Sequence, residues 1–207
     1  MRLGQWSETI QDCQRALQLG ITDALIHAAW AEASLNLGDM EQVFADCSQA
    51  LALSPTCTYA YRVRGVAYLQ QGQWADAILD LTTAIQCDDS DAVSYSYRAE
   101  AHRMNGHLEL AAHDAERAVL LVPDLVYAYY VRGLTRVEQW ERLHADALLD
   151  AAAEDFARVT AAEPASPAGY WGQGYVQQLR GKQDQAFALI RQALKIDPRF
   201  APAQRFR

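Results

Sequence analysis

The chain has 207 residues, enough hydrophobic ones (51%) for an extensive core, and a net charge of −8 from 26 acidic and 18 basic residues. No cluster of Lys or Arg offsets that charge, which excludes a phosphate-backbone binder, so nucleic acid is not an expected partner. No apolar run approaches the roughly 18 residues of a membrane span, and no apolar signal core follows MRLGQWSE, so a cytoplasmic protein without membrane insertion is expected.

From the N-terminus, residues 5–19 read as one helix with Trp6, Ile10, Cys13 and Leu17 along one side. From residue 24 onward the apolar residues fall at three- and four-residue steps in paired runs, as in Tyr61, Gly65, Tyr68, Leu69 and then Ala77, Leu81, Ala84, Ile85. That is helical periodicity, not alternation. Short polar breaks holding a glycine (NLGD, QQGQ, MNGH, LRGK) separate the runs, as at a helix C-terminus in the left-handed conformation. Each second run ends near a proline (Pro55, Pro123, Pro164, Pro198), with Asp89 in that place once. The pairs repeat every 34 residues: Gly4, Gly38, Gly72, Gly106; Ala16, Ala50, Ala84, Ala118; Ala31, Gly65, Ala99, Gly133; Tyr61, Tyr95, Tyr129; Asp12, Asp46, Asp80, Asp114. The next members, Asp155 and Tyr170, arrive 41 residues on, and the pattern then resumes with Gly174, Gly181, Ala186, Ala193 and Pro198. A glycine loop around a phosphate would occur once, so small residues that recur in register read as close contacts between paired helices.

With these positions, the chain closely resembles the tetratricopeptide repeat family, whose 34-residue unit pairs an aromatic-small-aromatic first helix with an Ala-rich second helix and a terminal proline. The resemblance covers nearly the whole chain. It divides it into a half repeat (1–23), full repeats at 24–57, 58–91, 92–125, 126–166 and 167–200, and a tail, 201–207. The fold it implies is all-α, a right-handed α-solenoid of antiparallel helix pairs. The function it implies is non-enzymatic: a scaffold or adaptor whose first helices line a concave groove for a peptide or helix of a partner protein. Two alternatives are a fragment of a larger, multidomain protein, with or without an enzymatic domain, and a scaffold that self-associates through uncapped ends. At those ends Trp6, Ile10, Cys13 and Leu17, and Phe187, Ile190 and Leu194, are expected to lack full cover, since FAPAQRFR is too short for a capping helix.

The chemistry-bearing residues support no reaction. No phosphate loop, GxSxG, HExxH or dinucleotide fingerprint is present, so no cofactor and no catalytic residue is expected. His102, His107 and His113 fall on a first helix, a turn and a second helix, without the one-turn spacing of helical metal ligands. Cys13, Cys47, Cys57 and Cys87 lack CxxC spacing and read as buried thiols. Arg64, Arg98 and Arg132 recur against Asp46, Asp80, Asp114 and Asp155; pairs between adjacent helices explain the shared period better than an anion-binding row. Whether each Arg pairs within its own repeat stays open. The seven extra residues lie within EQWERLHADALLDAA (138–152), which has no Gly or Pro; about one added turn per helix would keep the hairpin closed. Trp140 packed on that hairpin, or Trp140 with Leu143 as a docking surface, are the two readings of its tip.

Mapped onto this chain, the family's groove begins with Leu25, Ala29 and Glu32 on the opening first helix. It continues through Tyr59, Arg62, Val63 and Val66, then Val93, Ser96, Tyr97, Glu100 and Arg103. Tyr127, Tyr130, Val131 and Leu134 follow, and Trp171 and Tyr175 close it. The stripe is aromatic, apolar and sparsely charged. Chaperone-binding members grip a C-terminal carboxylate with Lys and Asn at set places; here those places hold Arg62, Val66, Tyr97, Tyr127 and Val131, so that clamp is absent.

Overall fold

The computed structural model describes residues 3–204, and all regular structure among them is helical. The chain forms two compact units, Met1–Asn105 and Gly106–Arg207. The first holds α1 (Leu3–Gln18), α2 (Ala24–Leu37), α3 (Met40–Leu53), α4 (Thr58–Gln70), α5 (Trp74–Cys87) and α6 (Ala92–Met104). Within it α2 pairs with α3 and α4 with α5, while α1 packs on α2, α3 on α4, and α5 on α6. The second unit holds α7 (Leu108–Leu121), α8 (Val126–Leu143), α9 (Asp146–Ala162), α10 (Pro167–Leu179), α11 (Gln183–Ile196) and α12 (Ala201–Gln204). There α8 pairs with α9 and α10 with α11, while α7 packs on α8 and α9 on α10. Consecutive packed helix pairs of this kind are an α-solenoid.

The turns follow from their residues. At Gly38 (φ 84°) the backbone enters the left-handed region, and its N–H closes on the Ser34 and Leu35 carbonyls. Asp39 then caps α3 by accepting from the Gln42 N–H at 3.2 Å. The turn after α8 has no glycine: His144 takes the left-handed conformation itself, at φ 51°. This is the lengthened hairpin, where α8 and α9 run 18 and 17 residues against 13 or 14 in the other pairs. Trp140 packs on its own hairpin beside Val137 and Leu149, edge-on to His144, with its indole N–H directed at Asp146 Oδ1, 3.4 Å away. Leu143 is left 66% exposed.

Small residues sit where helices touch. A Cβ on Gly65 would lie 2.8 Å from Leu81 Cγ, and one on Gly174 would lie 2.8 Å from Ile190 Cγ1. Around Phe156, which is fully buried, both Gly133 and Gly172 leave room: a Cβ would come to 2.9 Å and 2.3 Å of its ring. Ala50, Ala84 and Ala118 are likewise 0% exposed.

Four expectations are corrected here. Residues 201–204 do form a helical turn, α12, in which Ala203 is fully buried. Phe200 lies edge-on to Trp171 at 6.3 Å, so Ile190 is buried and Leu194 half-buried, and Phe187 alone of that group stays exposed. Residues 205–207 of the tail lie outside the described residues. At the other end Cys13 is buried, while Trp6, Ile10 and Leu17 are half-buried. Of the cysteines, Cys87 is exposed on the last turn of α5; all four are free thiols.

Candidate functional site

In the first unit the first-helix face is built from α2, α4 and α6. Tyr59, Arg62 and Val66 on α4, and Val93, Tyr97, Glu100 and Arg103 on α6, are half-buried, as are Ala29 and Glu32 on α2; Leu25 is exposed. Tyr59 donates its hydroxyl to the Glu32 carboxylate. Arg62 lies 5.1 Å over the Tyr59 ring and donates from Nη1 to Asp91 Oδ2 at 2.7 Å. Asp91 is held in turn, accepting from the Val93 N–H and the Ser94 hydroxyl at the start of α6. Arg103 forms a two-pronged pair with Glu100. Burial, then the bond to Glu32, pushes the Tyr59 phenol up, and burial raises Tyr97, with Glu32 adding to it. At the N-terminal ends of these helices lies a cleft of about 520 Å³ whose walls include Leu25, Tyr59, Arg62 and Asp91.

The corresponding face of the second unit lies on α8 and α10. Tyr127, Tyr130 and Leu134 are half-buried on α8, with the Tyr127 and Tyr130 rings 6.4 Å apart. Trp171 stacks on Tyr175 at 5.4 Å, and the Tyr175 hydroxyl donates to Glu141 Oε1 at 3.0 Å. Burial and that bond push the Tyr175 phenol up to about 12.

Four residues of the stripe face inward. Val63, Ser96, Val131 and Trp171 are 3%, 0%, 0% and 8% exposed. Each helix residue turns the side chain by about 100°, so the position next to an outward one faces the core. Val63 thus joins Ala31, Val43 and Cys47 in the core, while the Ser96 hydroxyl returns to the Ala92 carbonyl. Two partners were missed: Asp91, whose sequence signal is its place at the start of α6, and Glu141, which had none.

Two of the recurring arginines, Arg64 and Arg132, clamp an aspartate within their own hairpin. Arg64 donates to both oxygens of Asp80, at 2.7 and 2.8 Å. Asp155 accepts from two guanidinium groups, Arg132 (3.1 and 2.6 Å) and Arg136 (2.6 Å). In the α2–α3 hairpin His27 Nδ1 meets Asp46 Oδ1 at 2.8 Å instead. These carboxylates are buried and spent on structure. His107 and His113 are exposed, and no group of three or more His, Cys, Asp or Glu among the described residues could hold a metal. No described helix is long and apolar enough to cross a membrane.

The tetratricopeptide repeat profile matches residues 46–92 and 143–199, together half of the chain. No curated protein matches the chain. Among solved structures, MamA is similar at 22% identity, with a TM-score of 0.63 over 83% of this chain and 96% of that one. YrrB, described as a tetratricopeptide protein with an unusual peptide-binding site, is 19% identical over 93% and 96%, with a TM-score of 0.62. The first tetratricopeptide domain of Spaghetti (RPAP3), solved with the HSP90 peptide SRMEEVD, is 24% identical over 60% and 93%, with a TM-score of 0.54. With the profile match on both units and the helix pairs of the fold, the chain belongs to the tetratricopeptide repeat family.

Proposed function

We propose that the chain is a non-enzymatic scaffold that holds a peptide or helix of a partner protein against its first helices, α2, α4 and α6 in one unit and α8 and α10 in the other. The observation that carries this reading is the set of half-buried rings, Tyr59, Tyr97, Tyr130 and Tyr175, each seated among packed neighbours. Such rings offer a large contact area for little lost side-chain entropy. The peptide-binding site of YrrB and the peptide held by RPAP3 support the reading, because both use repeats of the same fold. The repeat division, with a half repeat at 1–23 and a seven-residue insertion in 126–166, is part of the proposal.

Peptides selected from a random phage library on the immobilised chain, then titrated by calorimetry, test it. Replacing Tyr97 or Tyr130 with Ala lowers the affinity about ten-fold, at ~1–2 kcal/mol per anchor, with helical content unchanged. Equal affinity for the parent and both variants overturns the reading.

A further inference from the structure

The first unit, Met1–Asn105, holds thirteen acidic residues against six arginines and no lysine, so it carries nearly all of the chain's net −8. Five of its carboxylates are buried or half-buried: Glu32, Asp46, Asp80, Asp91 and Glu100. Four of the five face a basic side chain. His27 meets Asp46 at 2.8 Å, Arg64 meets Asp80 at 2.7 Å, Arg62 meets Asp91 at 2.7 Å and Arg103 meets Glu100 at 2.8 Å. Glu32 is the exception: its carboxylate accepts the Tyr59 hydroxyl and has no ion-pair partner among the described residues. A carboxylate half withdrawn from water regains little of its lost hydration from one neutral donor, and a cation placed against it regains more.

Glu32 lies on α2 beside aromatic residues of both other first helices. Tyr59 of α4 reaches it directly. Burial raises the phenol of Tyr97 on α6 and the Glu32 charge adds to it, so the carboxylate is near that hydroxyl as well. The guanidinium at hand, Arg62, is committed elsewhere: it lies 5.1 Å over the Tyr59 ring and donates to Asp91. That stacking also shows that a ring of this face receives a guanidinium. Toward the N-terminal ends of the helices the cleft of about 520 Å³ sets Asp23, Asp88 and Asp91 against Arg62, so the acidic excess continues along the face. We propose that the partner segment held on the first unit is basic, and that one of its Arg or Lys side chains seats its cation on Glu32, beside the rings of Tyr59 and Tyr97. This rests on the first-helix reading above and adds to it the sign of the partner's charge. An acidic segment would bring like charge to a face whose arginines are already paired.

A random dodecapeptide phage library, selected separately on the full parent chain and on Glu32→Gln, tests the proposal. Glutamine keeps the shape of the side chain and an oxygen that accepts from Tyr59, so the variant folds, which circular dichroism checks. Peptides from the parent are expected to concentrate Arg or Lys at one position, and those from Glu32→Gln to lose that preference. A parent-selected peptide, titrated by calorimetry, is expected to bind Glu32→Gln about ten-fold more weakly. The same peptide with its basic residue replaced by Gln is expected to lose about as much on the parent and little more on the variant, as coupling between contacting groups requires. Glu41→Gln removes an equal charge from an exposed position on α3 and is expected to leave the affinity unchanged. Enrichment without a basic preference, a basic preference that Glu32→Gln retains, or an equal loss with Glu41→Gln overturns the proposal, while the first-helix reading stands if Tyr97→Ala still weakens binding. No enrichment on the parent overturns both.

Discussion

Gly65 shows how little room the helix contacts leave, for a side chain there would begin 2.8 Å from Leu81 Cγ. Gly65→Val therefore costs about 1–3 kcal/mol through overpacking, which outweighs the small gain in helix propensity over glycine. Chemical denaturation measures it, with the exposed Gln73→Ala as the silent comparison. Tyr175 gives a pH-dependent counterpart. Its phenol is raised to about 12 from an ordinary value of 10 by burial and then by its bond to Glu141. The folded state thus holds the proton more tightly than the unfolded one. The resulting stability is full below pH 10 and is lost as pH rises through 12. Stability measured between those limits falls with pH, and Tyr175→Phe flattens the slope.

Among the elements, the α8–α9 hairpin carries the unusual turn. A left-handed non-glycine residue costs ~1–2 kcal/mol, and His144 meets that cost with an edge contact to Trp140 at the surface. Thermal unfolding is expected to rank His144→Gly above the parent, and the parent above His144→Val, because a β-branched residue is the most strained there. Much of the helix layout was legible in the 34-residue interval: α5, at Trp74–Cys87, follows Gly72 and stops before Asp89 in the proline place. What escaped was set by neighbours. His27 serves Asp46 from three residues before the Trp30 that occupies the arginine place, a shift of one turn that a strict interval does not register. Asp91 and Glu141 lie 29 and 34 residues from the side chains they hold, so only the packed structure brings them to the candidate site. Val63 and Val131 were placed on the open face because a stripe mapped by analogy is wider than one helical step.

For the whole molecule, stability in a repeat array is a sum of units and their nearest-neighbour contacts. Protection should then fall toward a helix that has one neighbour only. Amide exchange in α1, which among the described helices packs chiefly on α2, is expected to be faster than in α3, which packs on both α2 and α4. Exchange measured residue by residue checks this at the equivalent positions Cys13 and Cys47. Similar rates at the two would mean that α1 is covered in solution.

Phe156 occupies the place held by Cys47, Leu81 and Ala115 in the preceding units, and it fits because position 133 and position 172 are both glycine. Position 172 corresponds to Val63 and Val131, which are large and buried in the earlier hairpins. Volume has been moved across a helix interface, from position 172 into one ring, beside a position, 133, whose equivalents Ala31, Gly65 and Ala99 are small as well. Each of the three positions is therefore intolerant of change by itself: a methyl group at either glycine strikes the ring, and a smaller residue at 156 opens a void. Such residues are expected to change only as a set. In descendants of this sequence, drift at one of them should be found only alongside a compensating change at another, so the trio marks lineage more durably than any surface residue of the scaffold.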